Sequence, residues 1–292
     1  MASINQEIAF LELADPHSKE GVPAHSSTRS RRRWRIRWWR GAVLFLAGLY
    51  FLLPLFAGLK FALENIAGKF SFQALQNLPS SPGFSGAFWL SFRLALVTVV
   101  ISSFLMIPTA IYVHLKLPRM RRAMDVVTVL PIVIPPIILI LGVEGSAPLS
   151  LKSSPYLLSL LYVILAMPFV YRSLDAGLSA IDLKTLTEAS RSLGGSWFRT
   201  MRSVILPNLR ASLLSATVLT LALVFGEYTM ASLDNWTTIP VWIVQFNDAT
   251  DGHIQVAASM MGLVGTWVLL TALIFTFDRS QSKRAQRKTG LL

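Results

Sequence analysis

The sequence predicts an all-α integral membrane protein: a six-helix bundle with one polar cytoplasmic loop large enough to dock a partner. Three observations predict it. Of the 292 residues, 53% are hydrophobic and only 14% are charged, against about 25% charged in soluble domains; the mean hydropathy is +0.54. Six apolar stretches are long enough to cross a hydrocarbon core of about 30 Å. Finally, 23 of the 27 Lys and Arg residues fall in the two tails and in alternate connections.

In chain order, residues 1–40 read as a basic tail, the first 28 of them polar, aperiodic and expected to be disordered. A first span follows at 41–59, then an outer loop at 60–85. A transmembrane domain at 86–279 carries spans near 88–115, 126–143, 155–171, 211–233 and 254–277, and residues 280–292 form a second basic tail. The cation-rich segments include Arg29 to Arg40, Lys116 to Arg122, Arg172 to Arg210 and Arg279 to Lys288. The other side holds only Lys60, Lys69, Arg93 and Lys152. The positive-inside rule puts both termini in the cytoplasm, and an even number of spans requires them to share a side.

The same sorting accounts for the net charge of +12. The run RSRRRWRIRWWR, with Trp34, Trp38 and Trp39 at headgroup level, reads as a topology determinant resting on anionic lipid rather than as a nucleic-acid site. There is no Cys, and His17, His25, His114 and His253 are scattered, so no metal site and no cofactor is expected. No G-x-x-x-x-G-K-[ST] loop is present to cradle ATP. The chain is therefore not read as an enzyme.

The polar loop lies between the fourth and fifth stretches, at 182–207. Thr185 and Glu188 have capping-box spacing, and Asp182 competes as the N-cap. A helix is expected over Leu183 to Leu193, ended by Gly194-Gly195. A second short helix is expected over Ser196 to Ile205, with Pro207 separating it from the next span. The pair makes an L-shaped knob on the cytoplasmic face.

This segment reads Glu188-Ala189-Ser190, three residues, Gly194, nine residues, then Val204-Ile205-Leu206-Pro207. It resembles the E-A-A-x3-G-x9-I-x-L-P loop of permease subunits of binding-protein-dependent ABC importers, with Ser190 for the second Ala and Val204 for Ile. The resemblance extends over about Ser85 to Arg279. It implies the type I importer permease fold in a bacterial inner membrane and a coupling role for Glu188, Ala189, Ser190, Gly194, Leu206 and Pro207. It also implies three partners: a separate cytoplasmic ATP-binding subunit, a second permease subunit, identical or different, and an extracytoplasmic solute-binding protein.

A translocation path is suggested by Pro131, Pro135 and Pro136 within one span, since broken backbone at membrane depth lines cavities or packs against protein. Glu227 is the second pathway candidate. It reads either as a path or gate residue or as a structural partner of Arg93. Glu227 and the acidic outer loop at 234–253 lean towards a cation, so a polyamine such as spermidine or putrescine is the expected cargo. The alternatives are iron, thiamine, sulfate or molybdate, or phosphonate. A secondary transporter is the competing class, although no inverted repeat is visible.

Overall fold

The computed structural model describes residues 28–64, 68–246 and 252–289, and side chains from 39 to 275 within them. The disorder expected for the first 28 residues falls outside this range except at Thr28, where a helix begins. Two units divide the chain, 1–56 and 57–292. The first contains most of α1 (Thr28–Ala62), whose described side chains up to Phe56 face outward, as an apolar helix in lipid does.

The second unit is helical, without a named strand among the described residues. It runs α2 (Gln73–Asn77), α3 (Phe84–Lys116), α4 (Arg121–Val133), α5 (Pro136–Ser146), α6 (Leu149–Lys152) and α7 (Tyr156–Ser179). Then follow α8 (Leu183–Ser192), α9 (Trp197–Thr200), α10 (Leu206–Asn208), α11 (Arg210–Gly226), α12 (Thr229–Leu233), α13 (Ile239–Gln245) and α14 (Gly252–Thr289). Four helices cross a membrane by length and composition: Trp39–Ala62, Phe84–Lys116, Tyr156–Ser179 and Gly252–Phe275. Two bent pairs bring the number to six if each is one span.

One pair is the proline-rich span; the other, Trp197–Asn208 with Arg210–Gly226, bends by 74° where the second arm of the knob meets α11. The stretch read as one helix at 126–143 turns by 92° between α4 and α5. Pro135 and Pro136 bring no N–H, and a residue before proline is pushed out of the helical region. Accordingly Ile134 has ψ 120° and Pro135 ψ 137°. A kink was the expectation for Pro131, but Pro131 stays inside α4 and the break falls four residues later. The stretch at 211–233 also breaks, because α11 ends at Gly226 and Glu227 is extended, with ψ 121°.

Helix α3 packs along α7 and α11. The Thr98 hydroxyl donates to the Leu94 carbonyl at 2.8 Å, and the Ser159 hydroxyl of α7 approaches the same oxygen at 3.4 Å. Small hydroxylated residues let membrane helices come close while keeping their own polar atoms satisfied. One core gathers Leu94, Leu158, Tyr162, Val224 and Met230. Another gathers Ile111, Tyr171, Leu174, Leu183, Ile205 and Leu209. Leu94 and Ile111, one in each core, stand 17 positions apart on α3, a rise of about 25 Å.

The second core is bolted by a polar knot. Arg121 donates from Nε and Nη2 to Asp175 Oδ1 at 3.1 and 2.9 Å, and from Nη2 to Ser179 Oγ at 2.6 Å. His114 Nε2 lies 3.2 Å from the same carboxylate oxygen. The knot ties the ends of α3, α4 and α7 together beside the polar loop.

Candidate functional site

The polar loop folds as a two-armed knob. Asp182 is the N-cap of its first arm, α8: its Oδ1 accepts from the Thr185 N–H at 3.1 Å and its Oδ2 from the Thr185 hydroxyl at 2.7 Å. Those two bonds hold the Asp182 carboxyl below its ordinary range. The capping box expected of Thr185 and Glu188 is therefore replaced. Asp182 sits one turn earlier with the shorter side chain, and Glu188 is left free on the exposed face.

Helix α8 is amphipathic. Leu183 and Thr187 are buried and join the bundle, whereas Lys184, Glu188, Ala189 and Arg191 are exposed. The arm ends in a Schellman turn: Gly195 N–H donates to the Ser190 carbonyl and Gly194 N–H to the Arg191 carbonyl, both at 2.9 Å. The two glycines serve different ends. Gly194 takes φ +74°, which a β-branched side chain resists. Gly195 has an ordinary φ, but a Cβ there would lie 2.7 Å from the Ser190 carbonyl oxygen and 2.6 Å from its Oγ.

The second arm begins at Ser196, whose Oγ accepts from the Arg199 N–H at 3.4 Å. It runs through α9 into a π-helical turn over Met201–Ile205, rather than one regular short helix. Pro207 brings no backbone donor, and Asn208 Nδ2 donates to the Val204 carbonyl at 2.8 Å. Leu206 and Pro207 are half-buried, and Ile205 is fully buried in the bundle core.

Between the arms lies an apolar tip that the sequence reading passed over. Leu193 is 88% exposed, Phe198 72% and Trp197 44%. Leu193 precedes the bent helix pair that Trp197 and Phe198 open. Arg191, Arg199 and Arg202 surround them, each exposed. The signal available in the sequence was an apolar triplet in an otherwise polar loop. Exposed apolar patches of this kind mark interaction sites.

Glu227 lies beside the other core, at the break between α11 and α12. Its Oε1 accepts from the Met230 N–H at 2.7 Å, and its Oε2 accepts from the Ala231 N–H at 3.3 Å and the Tyr162 hydroxyl at 2.8 Å. The carboxylate thus satisfies the backbone donors that open when α12 starts. The pairing with Arg93 is absent among the described residues: Arg93 is exposed on α3, and no ion pair joins the two. Helix α5 packs on α12, so the Pro135–Pro136 break and the Glu227 break belong to neighbouring elements. Pro135 itself is exposed, and Pro131 and Pro136 are half-buried.

Just beyond α12, Asp234 sits beside Glu144 of α5. Burial, then the neighbouring Glu144 charge, push the Asp234 carboxyl up to about 6. Among the described residues, no group of three His, Cys, Asp or Glu is placed to hold a metal ion.

The model of a known family, the binding-protein-dependent transport system inner membrane component, matches residues 95–286. A probable molybdenum ABC transporter permease protein of Haloferax volcanii is 28% identical over 254 residues, covering 80% of this chain and 90% of that protein. A protein of Salmonella typhimurium named for 2-aminoethylphosphonate transport is 28% identical over 176 residues, or 58% of this chain and 64% of that one. Its counterpart in Salmonella choleraesuis is 30% identical over 149 residues, or 49% and 55%. The chain thus spans less than two thirds of the two Salmonella proteins.

Proposed function

The chain belongs to the binding-protein-dependent transport system inner membrane components, and from that premise we propose that its cargo is a small oxyanion, delivered from outside and released on the side of the knob. Membership makes it a multi-pass permease subunit of an ABC importer for a small solute. ATP is hydrolysed on a separate subunit, and a solute-binding protein presents the cargo. A secondary transporter is set aside on that ground.

The observation that carries the oxyanion reading is the state of Glu227. A polyamine needs carboxylates free to meet ammonium groups. Both oxygens of Glu227 are already engaged by Met230, Ala231 and Tyr162. The relatives named for molybdenum and for a phosphonate support the same choice and lend none to the polyamine expectation. The break before α5 adds a helix N-terminus at membrane depth, the end whose dipole favours anions. In proteoliposomes holding the full importer and its binding protein, molybdate or 2-aminoethylphosphonate uptake should depend on ATP and resist excess spermidine. ATP-driven spermidine uptake with neither oxyanion moved would overturn this reading.

The knob is the coupling element in this proposal. Glu188 and Ala189 face the ATP-binding subunit. Gly194 turns the chain, and Leu206 and Pro207 join the knob to α11. Charge sorting supports placing the knob and both termini in the cytoplasm. Because the chain has no Cys, single cysteines report the sides directly. In intact cells an impermeant thiol reagent should label Thr237→Cys and spare Ser192→Cys; the reverse pattern would invert the orientation.

A further inference from the structure

We propose that Ser190 and Thr200 form a hydroxyl latch that fixes the angle between the two arms of the knob, and that solute moved per ATP depends on it. The proposal rests on the coupling reading of the knob and deepens it. Ser190 stands where the resembling pattern has Ala, so the latch belongs to this chain.

Three contacts define it. The hydroxyls of Ser190 and Thr200 lie 2.8 Å apart, ten residues apart in the chain. Thr200 Oγ1 also lies 3.1 Å from the Ser196 carbonyl, to which it donates. Either hydroxyl can donate across this contact; a hydroxyl has one proton, and when Thr200 gives its own to the Ser196 carbonyl it accepts from Ser190. The order is then Ser190 to Thr200 to the Ser196 carbonyl. The third contact is the Schellman bond from Gly195 N–H to the Ser190 carbonyl at 2.9 Å. One residue of the first arm therefore holds both the turn and the second arm.

Burial makes the latch worth keeping. Thr200 is 0% exposed, so no water replaces Ser190 as its partner, although it keeps the Ser196 carbonyl. The bare Gly195 points the same way. The residue at this place in a Schellman turn commonly packs an apolar side chain back on the helix. Here that volume is filled by the Ser190 hydroxyl on its way to Thr200. Two adjacent glycines would otherwise leave the elbow free to bend. A lever that bends at its elbow absorbs the partner's movement instead of passing it to Ile205 and Leu209 in the bundle core.

The test uses the complete reconstituted importer and reads the ratio of solute taken up to ATP hydrolysed. Ser190→Ala and Thr200→Val should each lower this ratio roughly two- to tenfold, the range set by one net hydrogen bond. The amount of assembled complex should stay near wild type. Thr200→Ser keeps the hydroxyl and should keep the ratio. The double variant Ser190→Ala, Thr200→Val should be no worse than Thr200→Val alone, because that change already removes the contact with Ser190 along with the bond to the Ser196 carbonyl. Ser190→Ala deletes one atom from a half-buried site, so it decides the matter if Thr200→Val fails to assemble. A wild-type ratio in Ser190→Ala, or additive losses in the double variant, would overturn the latch. Cross-linking of Ala189→Cys to the ATP-binding subunit separates the two levels. If the cross-link forms and the ratio is unchanged, the latch alone falls. If no cross-link forms, the docking reading falls with it.

Discussion

Gly195→Val should abolish uptake while leaving the membrane bundle inserted. A Cβ at this position meets the Ser190 carbonyl oxygen at 2.7 Å and its carbon at 3.3 Å. Backbone atoms cannot rotate away, so the Schellman turn has to open. Opening it frees the Gly195 and Gly194 N–H groups and moves Leu193, Trp197 and Phe198 relative to one another. Gly194→Val should act by a different route, since nothing lies within 4 Å of its Cβ and the strain is all in φ +74°. Gly194→Asn, which tolerates the left-handed region, should restore most of the activity. Gly195→Asn should restore none. Uptake measured in these four variants, normalised to inserted protein, checks the assignment. Full uptake in Gly195→Val would remove the elbow from the coupling path.

Glu227→Leu should lose assembled protein before anything else. It leaves the Met230 N–H, the Ala231 N–H and the Tyr162 hydroxyl without their acceptor. Each donor left buried costs about 1–3 kcal/mol, and membrane depth offers no water to replace the carboxylate. Glu227→Gln keeps one carbonyl oxygen able to accept from the α12 backbone and should keep most of the complex. Tyr162→Phe removes one of the three donors and should partly relieve Glu227→Leu. Arg93→Gln should change nothing, since Arg93 contributes no ion pair to Glu227. Size-exclusion yields of the complex in these variants distinguish the cases. Rescue of Glu227→Leu by Arg93→Gln would reinstate the ion pair. If oxyanion uptake survives in Glu227→Gln, the carboxylate's charge is not needed for the cargo; loss of uptake with intact complex would return Glu227 to the pathway.

The knob was legible because its determinants are local. Asp182, Gly194, Gly195 and Pro207 act within a turn or two of their own positions, and their residue types announce the turn. Asp182 against Thr185 as the N-cap was the choice left open there. Asp182 took the role, its carboxylate accepting from the Thr185 N–H. The latch was not legible, since Ser190 and Thr200 meet only after the Schellman turn reverses the chain. Glu227 was visible as an anomaly in an apolar span, but its partner Tyr162 lies 65 residues away. Any apolar span offers several candidate partners, and the Arg93 alternative rested on charge and on a place on the same outer side. The double proline announced a disturbance at 131–136, whereas its size, 92°, depended on how α5 turns to pack on α12.

In the proposed function, the knob at 182–207 is where this permease meets its ATP-binding subunit. Ala189 is exposed on the outer face of α8, and the chain carries no competing cysteine. With Ala189→Cys and a short thiol-to-amine cross-linker, the purified complex should yield one adduct of permease and ATP-binding subunit. Its yield should change between the nucleotide-free and ATP-bound states. Thr237→Cys, at the opposite end of the bundle, should yield no such adduct. An adduct from Thr237→Cys, or none from Ala189→Cys in a complex that still hydrolyses ATP, would contradict docking at the knob.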